Sequence, residues 1–553
     1  MNKKMLFAAC ALLLALQACD TSGSSTVYYQ INYVASGAQW GAAPAPGLFL
    51  PGSMARVADN TGNMGRSDGK VFVGWRDSPS GGTAYSVGRR FPINGAITLY
   101  AQWAEVPSLN TRKTFYTLDL VDNSWYGVSA VKLAEGVHCI IYADVYAFLT
   151  IDQSWGTAIV DKYEDTTNGI YKKITAVFKN TTHPDKTIED MDGNNKVIFL
   201  LLDIQDGYAG TGGYVAGYFH PYHMYASSTN PYSNQADMLF MDINPGKPSP
   251  PESAAGKVFY STMAHELQHL INWSITKDIG RSTVETWLDE GLAAAAEYVY
   301  GDESADRVNY FNSDPYDTIL YGNNFFYWSG AWDNDVLADY STAYLFFRWL
   351  GIHGGGNGIY TNIINSSYSD YRAVTTNAAA IATGIDAGAS AEAAKWQALL
   401  SGWMRANITH HASNYFGYKG AVTPAPAAGY FDGTNHNRIE FYPGEGIFSR
   451  GNTGSTVGSG ANIRYIDNIP VTGETFTALL TYNGSTNEKG NYEYGFLANT
   501  VEGVPSGRGA ASIRAAGSAE PAASLPATYP IGFRDVAGER GLNGKRSGKG
   551  GVK

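Results

Sequence analysis

The chain has 553 residues and a formal net charge of -11, with only 16% charged residues. A length of this order exceeds one core and predicts about three or four domains. The acidic balance, with no basic stripe before the last twenty residues, excludes a nucleic-acid surface. Tyrosine and glycine, 38 and 63 residues, suit a β-rich, turn-rich extracellular protein. At the N-terminus, Asn2-Lys3-Lys4 precedes an apolar run from Met5 to Leu16. The run is too short to span a bilayer and predicts a secretory signal over residues 1–18.

The run closes in Leu16-Gln17-Ala18-Cys19, which resembles the lipobox of bacterial lipoproteins. That resemblance implies a lipid on Cys19, an extracytoplasmic address at a bacterial membrane, and a polar tether over residues 19–25. Cys10 falls inside the signal, so Cys139 stands alone in the mature chain and no intrachain disulfide can form. In Val137-His138-Cys139-Ile140-Ile141-Tyr142 it reads as a buried strand residue.

Residues 26–104 form a separate unit of short strands divided by Gly, Pro, Asn and Ser. Val27 to Tyr33 open it, Phe72-Val73-Gly74-Trp75 lies midway, Gly81-Gly82-Thr83-Ala84-Tyr85 follows, and Leu99-Tyr100-Ala101-Gln102-Trp103 closes it. These segments resemble the internalin-type B repeat, or Listeria–Bacteroides repeat, although the glycine-rich loop at 36–66 is longer than that pattern. The resemblance implies a β-grasp-like module with a spacer role or with host or matrix contacts. Trp75 and Trp103 are expected in its core.

Beyond a linker at 104–108, strands are expected over 113–120, 130–133 and 137–146, then a helix capped by Asp152 and running towards Phe178. Further strands follow at 197–204, 213–220 and 237–243. Asp190, Asp192 and Asn194 resemble a fragment of a calcium loop without its closing glutamate, so a plain turn is preferred to a structural Ca2+ site. His220 and His223 flank a proline that spoils a helical pair, and read as loop histidines near the cleft.

Residues 257–273 carry the main chemical signal. If helical, they place His265 and His269 on one face, with Glu266 beside them, while Phe259, Met263, Leu267 and Leu270 pack the other side. Two imidazoles call for a third ligand if one position of a zinc ion is to stay open for water, and Glu290 on the next helix is the best candidate. From Glu285 on, helices are expected through Ala293–Ala296 and over 339–350, 373–383 and 389–406. After about residue 415 strands return, at 438–442, 463–466, 476–482 and 492–497.

Met263-Ala264-His265-Glu266-Leu267-Gln268-His269 with Trp287-Leu288-Asp289-Glu290-Gly291-Leu292-Ala293 resembles the paired motifs of the gluzincins, and within them the hyicolysin family of secreted neutral metalloproteases. The resemblance implies one catalytic Zn2+ held by His265, His269 and Glu290, with Glu266 as general base. Tyr340, in Tyr340-Ser341-Thr342-Ala343, resembles half of the Tyr-x-Lys-Gly segment that supplies an oxyanion donor, with Tyr344 and His223 as alternatives. Ala294 stands where thermolysin-like enzymes keep an aspartate that orients a ligand, so some other group must orient His265, with Glu297 and Asp289 as candidates. No G-x-M-x-N run lies between 190 and 257, which favours an endopeptidase over an aminopeptidase.

The expected fold is multidomain α+β: the β-grasp-like module, a zincin catalytic domain with a small mixed sheet (107–256) and a helical half (257–415), a β-rich C-terminal domain (416–505) and a disordered tail (506–553). The expected function is an extracytoplasmic, lipid-anchored zinc endopeptidase acting on proteins or peptides. An adhesin with a vestigial zincin domain and a metal-dependent hydrolase of non-peptide bonds are the alternatives.

Overall fold

The computed structural model describes residues 27–425 apart from 108–111, 211–212, 248–252, 302, 314–318, 320–324 and 327–335. Elsewhere it describes only the backbones of short strands, so most of the expected signal and tether lies outside the described residues. Of these, β1 (Ala18–Cys19) and β2 (Ser25–Thr26) pair with each other. No helix among the described residues is long and apolar enough to cross a membrane.

The N-terminal module consists of β3 (Tyr29–Val34), β4 (Gly47–Phe49), β5 (Met54–Arg56), β6 (Val71–Arg76), β7 (Ala84–Tyr85), β8 (Arg90–Pro92) and β9 (Ile97–Ala104). Its main sheet has the order β4-β3-β9-β6-β7, with β3 and β9 parallel, and β5 pairs with β8 apart from it. Ile31, Phe72, Trp75 and Leu99 fill its core, and the Trp75 indole N–H donates to Ala58 O at 2.8 Å. Trp103 packs against that core and donates to Ser36 O.

The module is docked on the rest of the chain. Val73 joins the core of the following unit, next to the 3-10 helix Val145–Leu149. Arg76 donates to Leu149 O at 2.9 Å, and Arg90 grips Asp119 with bonds of 2.6 and 2.8 Å while reaching Asp122 at 2.7 Å. Asp119 is fully buried, and Arg56 stands 3.8 Å away.

The second unit is built on β10 (Arg112–Asp119), β11 (Ser124–Glu135), β12 (Cys139–Asp144), β13 (Val197–Leu202), β14 (Gly213–Val215), β15 (Gly217–Phe219) and β16 (Met238–Asp242). The sheet order β10-β11-β12-β13-β16-β15 is mixed: β12, β13 and β16 are parallel and the others antiparallel. The parallel step from β12 to β13 needs a crossover, which α1 (Ser154–Glu164) and α2 (Ile170–Val177) supply. One helix was expected here, but the turn after Glu164 breaks it, with Asp165 accepting the N–H groups of Thr167 and Asn168. The strand expected over 130–133 starts at Ser124, because cross-strand pairing to β10 holds Gly127 and Ser129 extended. β13, Val-Ile-Phe-Leu-Leu-Leu, is buried along its whole length, as a strand covered on both faces requires.

Alternate residues divide the sheet. Cys139, Ile141, Phe199, Leu201, Leu239 and Met241 face the helices, and Ile140, Leu200, Tyr218 and Phe240 face away. Against the first face lies α3 (Ala254–Asp278), followed by α4 (Thr286–Tyr300), α5 (Ala305–Ser313), α6 (Val336–His353), α7 (Gly358–Ile364), α8 (Arg372–Asn377), α9 (Ala379–Ile385) and α10 (Glu392–Thr409). The helix expected over 373–383 is therefore two, broken at Ala378.

Past residue 430, strands Phe431–Asp432, Arg438–Phe441, Gly446–Arg450, Ile463–Val471, Glu474–Thr481, Asn499–Glu502 and Phe533–Asp535 are described. The strand expected at 492–497 lies outside the described residues, as does the expected tail except for Phe533–Asp535.

Arg90→Ala would leave the buried Asp119 carboxylate with the Val121 N–H and the more distant Arg56. Because Arg90 itself is partly solvated, the expected loss is about 2–3 kcal/mol, below the ~3–5 kcal/mol of a fully buried broken pair. Chemical denaturation of the purified chain measures it.

Candidate metal centre

α3 starts where Ser253 accepts the N–H of Gly256 and continues for 25 residues through the H-E-L-Q-H stretch. It is enclosed on all sides, which accounts for buried positions around its whole circumference rather than on one stripe. α4 crosses it, and Ala293–Ala296 are all buried in that contact layer. Gly291 is required by packing: a Cβ there would lie 2.1 Å from the ring of Phe347, so glycine lets α6 close on α4. Gly217 does the same for β15, where a Cβ would meet Thr262 at 3.0 Å and the Glu266 side chain at 3.3 Å.

This crossing brings together His265, His269 and Glu290, all buried, with one possible ligand atom from each inside a span of 4.8 Å. His265 Nε2 lies 3.3 Å from Glu290 Oε2, and His269 Nε2 lies 3.5 Å from Glu290 Oε1. None of these four atoms has a hydrogen-bond partner, although all are buried. Buried polar atoms without partners are costly, and a cation between them is the partner that two imidazole nitrogens and a carboxylate share. The residues present therefore fit a single divalent ion.

The remaining ring nitrogens are held from behind. His265 Nδ1 lies 3.0 Å from Glu297 Oε1, and His269 Nδ1 lies 3.1 Å from Asp289 Oδ2. Both residues proposed to orient His265 are thus used, one for each histidine. A carboxylate on Nδ1 keeps the proton there and turns Nε2 outward as the free nitrogen. Burial would lower the His265 pKa, but Glu290 and then Glu297 outweigh it and raise it. His269 is raised well above its ordinary value, with burial opposed by Asp289 and Glu290. Each carboxylate has support of its own. Asp289 accepts from Asn272, whose side-chain oxygen accepts from Arg281 at 2.9 Å, while Glu297 accepts from Arg307 at 3.0 Å.

Glu266 is buried beside the pair. Its Oε2 accepts the backbone N–H of Phe219 at 3.0 Å, and its Oε1 has no hydrogen-bond partner. Burial pushes its carboxyl up to about 7.

Of the three candidate oxyanion donors, the fold brings only Tyr340 to the site. Its buried ring is 6.2 Å from that of His265 and under the Arg307 guanidinium at 4.6 Å. Tyr344 is engaged elsewhere, donating to Glu303 and accepting from Ser304 N, each at 2.8 Å. His223 packs on Phe240, on the sheet face turned away from α3, so the expectation of a histidine near the cleft is not met for it. His220 caps the 3-10 helix Pro221–Met224 by accepting from Tyr222 N. Arg307 went unnoticed in the sequence, where a lone arginine between two helical segments carries no signal.

Asp190, Asp192 and Asp237 also approach within 4.8 Å of one another. Asp190 accepts from Gly193 and Asn194, Asp192 from the Asn194 amide, and Asp237 from Met191, so turn contacts hold the cluster together. Cys139 is buried at a strand start beside Glu164, and burial pushes its thiol far above the usual range.

Two histidines one turn apart on a helix and a glutamate from the next helix make a ligand set for one metal ion, with a second glutamate, Glu266, beside them, and part of the chain is similar to a known metalloprotease. Over 179 residues, 32% of the chain, it is 34% identical to a curated metalloprotease. That relative is the neutral metalloprotease ShpI of Staphylococcus hyicus, and the matched stretch spans 39% of its length. No family model matches the chain.

Replacing Asp289 by Ala would leave His269 Nδ1 without its carboxylate. Affinity for Zn2+, measured by competition with a chromogenic chelator, is expected to fall about 10- to 100-fold with the fold retained.

Proposed function

We propose that this chain is a zinc endopeptidase of the gluzincin type, cutting proteins or peptides outside the cytoplasm while tethered to a bacterial membrane through a lipidated Cys19. The observation that carries the catalytic reading is the convergence of His265, His269 and Glu290 on one point with Glu266 alongside. Likeness to a neutral metalloprotease supports peptide bonds as the target. The address rests on the lipobox-like Leu16-Gln17-Ala18-Cys19, and preference for internal bonds on the missing G-x-M-x-N run.

Zinc, when held by His265, His269 and Glu290, supplies Lewis acidity for attack of water on a peptide carbonyl. Glu266 does the proton work. The Phe219 N–H fixes Oε2, leaving Oε1 to accept the proton of the attacking water and to return it to the leaving amine. A carboxyl raised towards neutrality by burial is basic enough to take the proton and acidic enough to give it back. Tyr340, beside His265, donates to the oxygen that becomes negative in the tetrahedral intermediate. Glu297 and Asp289 hold the two imidazoles in the tautomer that leaves Nε2 free.

Metal analysis of the purified mature chain is expected to find one zinc. Chelation should abolish cleavage of an unstructured protein, with zinc restoring it. Glu266→Gln should keep the zinc and lose cleavage by at least ~100-fold. A Glu266→Gln protein that cleaves like the parent would remove Glu266 from the mechanism, and fragments shortened only from their N-termini would mark an aminopeptidase.

A further inference from the structure

α5 follows α4 after a short loop, and contacts to α6 fix where it begins. Glu303 accepts from Arg348 and from Tyr344, and Tyr344 accepts from Ser304 N. The next turn carries Arg307, a fully charged side chain with little solvent around it. Its Nη2 donates to Glu297 Oε1, the same oxygen that faces His265 Nδ1 at 3.0 Å. Its guanidinium also lies over the Tyr340 ring, 4.6 Å from the centroid. One planar cation thus touches both the carboxylate behind a histidine and the tyrosine in front of it. A buried arginine is expensive to desolvate, so two such contacts are what keep it there.

We propose that Arg307 is a positioning residue of the metal centre: it fixes Glu297 so that His265 presents Nε2, and it seats the ring of Tyr340 beside that histidine. The proposal rests on the zinc reading above. Without the guanidinium the Glu297 carboxylate loses one of the contacts that hold it against Nδ1, and the tautomer lock and aim of His265 weaken. Lysine keeps a charge that can reach Glu297, but has no flat face to lay on Tyr340. The two duties therefore separate: metal retention follows the charge–carboxylate contact, and turnover follows the stacked plane.

The test compares the parent, Arg307→Met, Arg307→Lys and the pair Arg307→Met with Glu297→Gln, all as full mature chains. Zinc affinity and release are measured with a chromogenic chelator, thermal stability on the metal-free forms, and kcat and KM on an unstructured protein. Arg307→Met is expected to bind zinc about 10- to 100-fold more weakly. Should that variant not fold, the neutral pair takes its place, because it buries no uncompensated charge. The pair is expected to recover stability without recovering zinc retention. Arg307→Lys should hold zinc within about threefold of the parent, and lose about tenfold in kcat with KM little changed. A pair that holds zinc like the parent would show that Arg307 merely neutralises a buried charge, and would overturn the proposal. So would Arg307→Met holding zinc like the parent. An unchanged kcat in Arg307→Lys would overturn the part concerning Tyr340. A parent chain that binds no zinc would fail separately, at the metal reading itself.

Discussion

Four carboxylates, Glu266, Asp289, Glu290 and Glu297, meet where α3 crosses α4 inside a largely apolar helical layer. Negative charge at that density is unfavourable away from water unless each group finds a proton, a cation or a donor. Two imidazoles and the Arg307 guanidinium supply part of the compensation, together with the Asn272 amide and the Phe219 N–H. Among the atoms without a hydrogen-bond partner are the four that face one another within metal-ligand distance. Much of the surrounding structure exists to hold these groups at close quarters.

That holding is done by rigid elements and by missing side chains. β15, at the edge of the sheet, can deliver the Phe219 N–H to Glu266 because Gly217 lets it lie against α3. α6 can bring Tyr340 near His265 because Gly291 admits the ring of Phe347. Small residues at both crossings convert close backbone approach into the placement of polar groups, and each group sits on a helix or strand rather than on a loop.

The N-terminal module takes part in the same scaffold. Val73 shares a core with Leu149, and Arg90 closes over the buried Asp119. Those contacts tie the module to the first strand of the central sheet and to the 3-10 helix that leaves β12, so it is joined by packing and by an ion pair as well as by the chain. The module's short strands and the burial of Trp75 could be read from its own residue pattern; the docking face needed both partners in place.

The zinc-ligand candidates and Glu266 were legible in the sequence, because i, i+4 spacing on a helix is a local rule and the second motif follows within one helix–turn–helix. The same holds for the long apolar strands. Harder to read were elements whose conformation depends on a neighbour, such as the start of β11 at Ser124, stabilised by cross-strand pairing, and the break between α1 and α2, made by an Asx turn. The sequence by itself determined which residue types stand ready for metal chemistry and roughly which segments carry them. Only the tertiary structure decided that Glu297 serves His265 while Asp289 serves His269, that Tyr340 and not Tyr344 or His223 stands at the site, and that Arg307 underlies both. Those choices depend on distances between elements far apart in the chain, which no spacing along it encodes.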